Sequence, residues 1–336
     1  MSDAGRHMRA EIAEAPAAFV RAVSAKVDSA ALAACNIAGV RAFYTIARGS
    51  SDAAANILSY EFMRETGKPM TSLPPSIFSV GRGVAMTGTA SIVVSQSGAS
   101  DDLVRSAKGA RAAGGVVIGI VNQPGSAVES AADLTQPMGA GPELAVPATK
   151  SVIGSIGAGM ALLAAIQPDY AGRATASAKS FAALGGTPHP DSKALISALL
   201  RAQHVYVIGR DTGFGAAQEL ALKLKETCAL HAEAYSSSEV LHGPLQLVSN
   251  PLLVLILDTG QPDVQASLDV AEARFRAAGG QVHRIRPADV MAGPMTAAAS
   301  AALLLYLCYP LVLATSLALG HDPDHPANLS KVTQTT

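Results

Sequence analysis

At 336 residues, 49% of them hydrophobic, the chain is long enough for two domains that each bury most of their apolar surface. Its net charge of −1, with charged residues at 15%, supplies no basic face of the size a nucleic acid requires. The three cysteines, Cys35, Cys228 and Cys308, form neither a CxxC pair nor an even framework, and the opening Met1–Arg9 lacks an apolar signal core; both point to a cytoplasmic protein with reduced thiols.

In chain order, residues 1–30 are expected to form a helical segment. Apolar runs follow at Phe43 to Ala47, Ser91 to Ser95 and Val116 to Val121, bounded by Gly, Asn and Pro and separated by helical stretches. That alternation is expected of parallel strands buried on both faces, and it defines a first domain over residues 31–183. Leu184-Gly-Gly-Thr-Pro-His-Pro-Asp191 cannot continue a helix and is expected to be a linker, 184–192. The pattern then resumes at His204 to Ile208, Leu252 to Leu257 and Gln281 to Ile285, giving a second domain over 193–320. Tyr44-Thr-Ile-Ala-Arg48 and Tyr206-Val-Ile-Gly-Arg210 stand 162 residues apart, and the helices that follow end at Glu65-Thr66 and Glu226-Thr227, 161 apart, so the halves look duplicated. The expected fold is α/β, two tandem doubly wound parallel sheets in α/β/α sandwiches. A polar tail, 321–336, closes the chain.

Ala301 to Leu319 is about long enough to cross a bilayer. Pro310 and Thr315-Ser316 interrupt it, no Lys/Arg-rich flank anchors it and no second span accompanies it, so a buried helix is expected and no membrane partner.

Ser91-Ile-Val-Val-Ser95-Gln96-Ser97-Gly-Ala-Ser100-Asp-Asp is a strand running through a hydroxyl-dense turn into a helix. Such a turn places amide hydrogens and the positive helix end on one small anion, and a monoester phosphate suits it better than a dinucleotide because the G-x-G-x-x-G spacing is missing. The same residues would also serve as a plain N-cap and turn. Gly49-Ser50-Ser51 is a matching, weaker signal one strand over. Glu219, Lys223 and Glu226 lie at i, i+4 and i+7, one helix face bearing acid, base and acid; this is either an exposed ladder or, in so apolar a setting, a functional set with at least one charge turned inward. His242, before Gly-Pro, is expected in an exposed loop where a helix must stop, whereas His231 and Glu233 read as supporting residues. Gly209-Arg-Asp-Thr-Gly213-Phe-Gly215 has the wrong spacing for a nucleotide loop, and His321-Asp-Pro-Asp-His325 has no further His cluster to complete a metal site, so neither a cofactor nor a metal is expected.

Taken together, Ser95-Gln-Ser-Gly, Ala140-Gly-Pro-Glu-Leu-Ala-Val-Pro-Ala-Thr-Lys150, Leu222-Lys-Leu-Lys-Glu226, His231-Ala-Glu-Ala-Tyr235, Glu239-Val-Leu-His-Gly-Pro244 and Asn328-Leu-Ser-Lys331 occur in the order of the motifs of SIS-domain phosphosugar enzymes. The sequence resembles the isomerase domain of glucosamine-6-phosphate synthase, beginning with Met8-Arg-Ala-Glu-Ile-Ala-Glu-Ala-Pro16. The resemblance implies that Ser95, Gln96, Ser97 and Ser100 hold a sugar phosphate and that Ser51, Val146 and Ala148 line the sugar. It further implies that Glu226 moves a proton between C1 and C2, that His242 from a neighbouring subunit of a homodimer opens the ring, that Lys331 reaches the open-chain carbonyl end, and that Lys223 orients these groups. A carboxylate can carry such a proton when nearby cations stabilise the charge on the adjacent heteroatom.

Three departures stand out. The sequence carries no glutamine-hydrolysing region, so it should not use glutamine; Ala148 stands where a serine is expected, and Ser100 where threonine is usual. The resemblance therefore implies deamination of glucosamine 6-phosphate to fructose 6-phosphate and ammonia. Another phosphosugar isomerase, a fructosamine-6-phosphate deglycase and a non-catalytic phosphosugar sensor stay open as alternatives.

Overall fold

The computed structural model describes residues 4–184 and 186–331. In chain order these form α1 (Arg6–Ser24), α2 (Ser29–Ala34), β1 (Ala42–Ile46), α3 (Ser50–Thr66), β2 (Met70–Ser72), α4 (Ser76–Ser79), β3 (Thr89–Ser95), α5 (Asp101–Ala112), β4 (Val116–Val121), α6 (Ala127–Ala131), β5 (Leu134–Pro137), α7 (Lys150–Ile166) and α8 (Pro168–Ala183). There follow α9 (Ser192–Arg201), β6 (His204–Gly209), α10 (Thr212–Cys228), β7 (His231–Ser236), β8 (Leu252–Leu257), α11 (Pro262–Ala277), β9 (Gln281–Ile285) and α12 (Ala297–Ala318). They fall into two compact units. One comprises Ala15–Pro142 and Lys150–Lys179; the other comprises the residues up to Glu14, Glu143–Thr149 and Ser180–Lys331.

The unit built on Ala15–Pro142 holds a parallel five-stranded sheet in the order β2-β1-β3-β4-β5. Its central strands are apolar because both faces are covered: Ile92, Val93 and Val94 of β3 and Val117, Ile118 and Ile120 of β4 are fully buried. Ile46, Val93, Leu103, Ala107, Val117 and Val128 form one core cluster between the sheet and its crossover helices. α7 is buried from Lys150 to Leu163. It packs closely on α3 because Gly159 has no side chain: a Cβ there would lie 2.3 Å from Leu58 Cδ1.

The other unit repeats the plan with a parallel four-stranded sheet, β7-β6-β8-β9. β8 is buried at every residue, and Tyr206, Ile208, Val254, Ile256, Leu268 and Phe275 form its cluster. α12 is long and apolar enough to cross a membrane, yet 89% of its most apolar 18-residue window is buried within the protein, against α9 and α10. Its composition follows from that burial.

Both sheets carry the parallel, doubly wound pattern expected from the sequence, and the six expected strands are present within one or two residues at each end. Three strands, β2, β5 and β7, lie outside the expected set, and all three are sheet edges. β2 and β5 have only three and four residues, and β7 alternates the polar His231, Glu233 and Tyr235 with smaller residues, so none shows the unbroken apolar run of a doubly covered strand. The duplication extends to backbone angles. Gly49, ahead of α3, has φ 54° and ψ −129°, and Asp211, ahead of α10, has φ 56° and ψ −132°. Asp211 adopts this sparsely populated conformation with its carboxylate accepting from the amide of Thr212 at 2.6 Å.

Candidate active site

In the five-stranded sheet the strand order reverses between β1 and β3, and the crevice beyond the carboxyl ends of two such strands is where doubly wound sheets receive ligands. The Ser95–Ser100 turn leaves β3 there. Ser95 is buried and its Oγ accepts from the amide of Gly98 at 3.0 Å, while Ser97 Oγ accepts from Ala99 at 3.3 Å. Gly98 is obligatory, with φ +62° and a position at which a Cβ would meet Ser126 Oγ at 2.2 Å. Ser100 is the N-cap of α5, but its side chain makes no capping hydrogen bond. Gln96, Ser97 and Ser100 are half-buried. From β1, Gly49 leads into the first turn of α3, where Ser50 and Ser51 are also half-buried. Two helix starts and a set of hydroxyls thus sit at neighbouring strand ends, an arrangement that can receive one small anion without a metal or a conserved-spacing glycine loop.

A residue outside the sequence-based set stands beside this turn. Arg48 follows β1, and its Nε donates to Oδ2 of Asp102 in the first turn of α5. The Asp102 side chain is completely buried, whereas that of Arg48 is 46% exposed. The second carboxylate oxygen of Asp102, Oδ1, has no hydrogen-bond partner among the described residues.

In the other unit, α10 carries the acid–base face. Glu219 and Lys223 turn inward to full burial, and Glu226 retains 25% side-chain exposure. Lys223 Nζ donates to Glu226 Oε2 and lies 3.6 Å from Glu219 Oε1. Burial works against the Lys223 charge, but Glu219 and Glu226 more than offset it, so the ammonium is held above the ordinary lysine range. Tyr309 of α12 donates to Glu219 at 3.2 Å, and burial, reinforced by Glu219 and Glu143, keeps its phenol well above its usual pKa and therefore neutral. Of the three charged groups on this face, Glu226 is the one open to a ligand.

Glu143, the second residue missing from the sequence-based set, ties the remaining groups together. Its buried carboxylate accepts from the amide of Thr149 at 3.0 Å, bears on Lys223, and lies 3.5 Å from Lys331 Nζ. Lys331 Nζ also donates to the carbonyl of Ala145 at 2.5 Å. Glu11 of α1 accepts from the amides of Leu144 and Ala145, and Val146 donates to the Asp324 carbonyl at 3.1 Å. The half-buried Val146 and Ala148 are therefore carried on a segment fastened from α1 and from the tail. His242 ends a short 3-10 turn, Glu239–His242, and is exposed; among the described residues it shares no hydrogen bond or ion pair with Glu226, Lys223 or Lys331.

The repeat gives the two turns different chemistry. Ile46 pairs with Val93 and Ile208 with Ile256, so the residues two further along β3 and β8, Ser95 and Asp258, are equivalent. Where Ser95 offers a hydroxyl, Asp258 brings a buried carboxylate that already holds the amide of Gly260 at 2.8 Å, Gln265 at 2.7 Å and Arg284 at 2.9 Å. The second turn carries its own anion. Gly209–Gly215 closes on itself at the start of α10, and Asp322 and Asp324 accept from the backbone amides of Gly5, His7 and Met8.

The SIS domain model matches residues 36–165 and 198–302, well over half of the chain. The chain belongs to the SIS family. Over 357 residues, 96% of this SIS chain, it is 31% identical to the glutamine–fructose-6-phosphate aminotransferase (isomerizing) of Aeropyrum pernix, and it spans only 56% of that relative's length. A solved structure from Silicibacter pomeroyi, described provisionally as a phosphosugar isomerase, matches with 31% identity and a TM-score of 0.81 over 95% of this chain and 99% of that one. The glucosamine-6-phosphate deaminase of Thermotoga maritima shares the fold at 17% identity, with a TM-score of 0.75 over 98% of this chain and 100% of that one. This SIS chain is thus homologous to the isomerase part of a longer aminotransferase.

Proposed function

We propose that the protein converts a phosphosugar between aldose and ketose forms and, most specifically, deaminates glucosamine 6-phosphate to fructose 6-phosphate and ammonia. The observation that carries this reading is Glu226: a carboxylate with solvent access, hydrogen-bonded to a buried lysine whose charge is secured, on the helix whose neighbours bring in Glu143 and Lys331. The phosphate end of the substrate is assigned to Ser95, Gln96, Ser97 and Ser100, and the sugar to Ser51, Val146 and Ala148. Ring opening is assigned to His242, whose exposure suits a residue supplied to a neighbouring copy in a homodimer.

In this mechanism Glu226 removes the proton from C2 of the open-chain aminoaldose and returns it to C1. The electron pair released at C2 passes to the C1 carbonyl oxygen, giving an enolamine whose developing charge Lys331 and Lys223 stabilise. Reprotonation at C1, with a proton passing from the amine to the C1 oxygen, leaves an imine at C2, and water adds to it and expels ammonia. A second reading, an isomerase or a deglycase acting on another C2 substituent, is favoured by Ala148, whose methyl group removes one hydroxyl contact from the sugar-lining segment.

The test is ammonia release from glucosamine 6-phosphate by the purified protein. Glu226→Gln keeps the shape and the hydrogen bond to Lys223 but cannot carry a proton, and should lower turnover by about 10²–10⁴-fold, the usual weight of general acid–base catalysis. Ammonia production equal in the variant would remove Glu226 from the mechanism.

A further inference from the structure

We infer that Arg48 is a specificity-determining residue, the cation that recognises the phosphate dianion of the substrate, held in place for that contact by Asp102. The inference rests on the phosphosugar reading and extends it to a residue that reading does not include.

Three observations lead to it. First, the hydroxyl turn is neutral, and the residues that open α5 are acidic: Asp101 and Asp102 directly follow Ser100. A dianion brought to that helix start meets a buried carboxylate at Asp102, and an uncompensated negative charge there would oppose it. Arg48 is the group that compensates it. Second, Arg48 follows β1, the strand on the other side of the reversal in sheet order, and its guanidinium reaches the first turn of α5, the helix that the hydroxyl turn leads into. Third, the ion pair is lopsided. Asp102 is fully buried and takes Nε, while the rest of the guanidinium belongs to a side chain that is nearly half exposed. A guanidinium anchored through Nε still has its terminal N–H donors to offer, and paired donors in a fixed plane match a phosphate. In the second unit the same position is used differently. There the equivalent Arg210 is turned onto Ser236 and Ser238, at 2.9 and 2.6 Å, and the equivalent of the serine turn carries Asp258.

Titration calorimetry with fructose 6-phosphate, with glucosamine 6-phosphate as second ligand, tests the assignment on wild type, Arg48→Ala, Arg48→Lys and Arg48→Ala/Asp102→Asn, each checked for folding by its thermal transition. Losing a hydrogen bond to a charged group should weaken binding about 10- to 100-fold in Arg48→Ala. Arg48→Lys should recover part of this loss, since it restores charge without the planar fork. Arg48→Ala/Asp102→Asn should stay as weak as Arg48→Ala, because neutralising residue 102 does not replace a direct contact. Affinity in that double variant restored to the wild-type level would mean that Arg48 only silences Asp102, and would overturn the contact; so would an Arg48→Ala variant that binds as wild type does. A wild-type protein that binds neither sugar phosphate would instead remove the phosphosugar reading itself.

Discussion

Chemistry in this chain is concentrated in single groups whose surroundings decide their state. The three cysteines show the principle in its plainest form. Burial pushes the Cys228 thiol up to about 11 and the Cys308 thiol up to about 12, so neither supplies thiolate near neutrality, whereas Cys35 is only half-buried and its thiol is raised less. Alkylation of the native protein at pH 8 should therefore label Cys35 alone, read by mass spectrometry, with Cys228 and Cys308 reacting after denaturation; native labelling of Cys308 would contradict its burial in α12. The same logic governs Lys223. Its folded pKa lies above the ordinary value, so the stability it contributes is present below the ordinary lysine pKa and is lost only as pH rises through the folded one, leaving the Glu219–Lys223–Glu226 set intact across the neutral range. Residues of this kind were visible in the sequence as spacing, since i, i+4 and i+7 put three charges on one face. Their partners were not. Glu143 and Lys331 are 188 residues apart and Arg48 and Asp102 are 54 apart, and no local pattern announces a contact over that separation.

Among the elements, the central strands were legible because a sheet covered on both faces demands uninterrupted apolar runs, and the edge strands β2, β5 and β7 were not because one covered side permits short or mixed sequences. The tail is a further element whose role depends on a few contacts. Asp324 is buried and accepts from the amides of His7 and Met8, both at 2.8 Å, and so caps the first turn of α1. Through the same stretch Asp322 holds the amide of Gly5 and Lys331 reaches Glu143 and Ala145. Asp324→Ala should cost about 1–2 kcal/mol, as loss of an N-cap does, and should speed amide hydrogen exchange both in residues 4–14 and in residues 321–331. A variant with unchanged exchange in the tail would show that other contacts hold it. If Lys331 acts on the substrate, the same variant should also lose turnover beyond what its lowered stability explains.

For the molecule as a whole, one plan is used twice with different outcomes. Both units are parallel sheets with the same order through their first four strands, and even the strained residue before the first crossover helix is shared, as Gly49 and as Asp211. Divergence lies in the turns: hydroxyls and an anchored guanidinium in one unit, and in the other a carboxylate already satisfied by Arg284 and Gln265, with the acid–base face on α10. On the proposed function, the first set of groups would serve the charged handle of a phosphosugar and the second its reacting carbons. The proposed role of Glu226, moving a carbon-bound proton of a phosphosugar, is read by proton NMR of glucosamine 6-phosphate and fructose 6-phosphate incubated with the protein in deuterated water. Deuterium should enter the sugar at C1 or C2 with the wild-type protein and be nearly absent with Glu226→Gln. Equal exchange by the two proteins, or none by the wild type with either sugar phosphate, would contradict it.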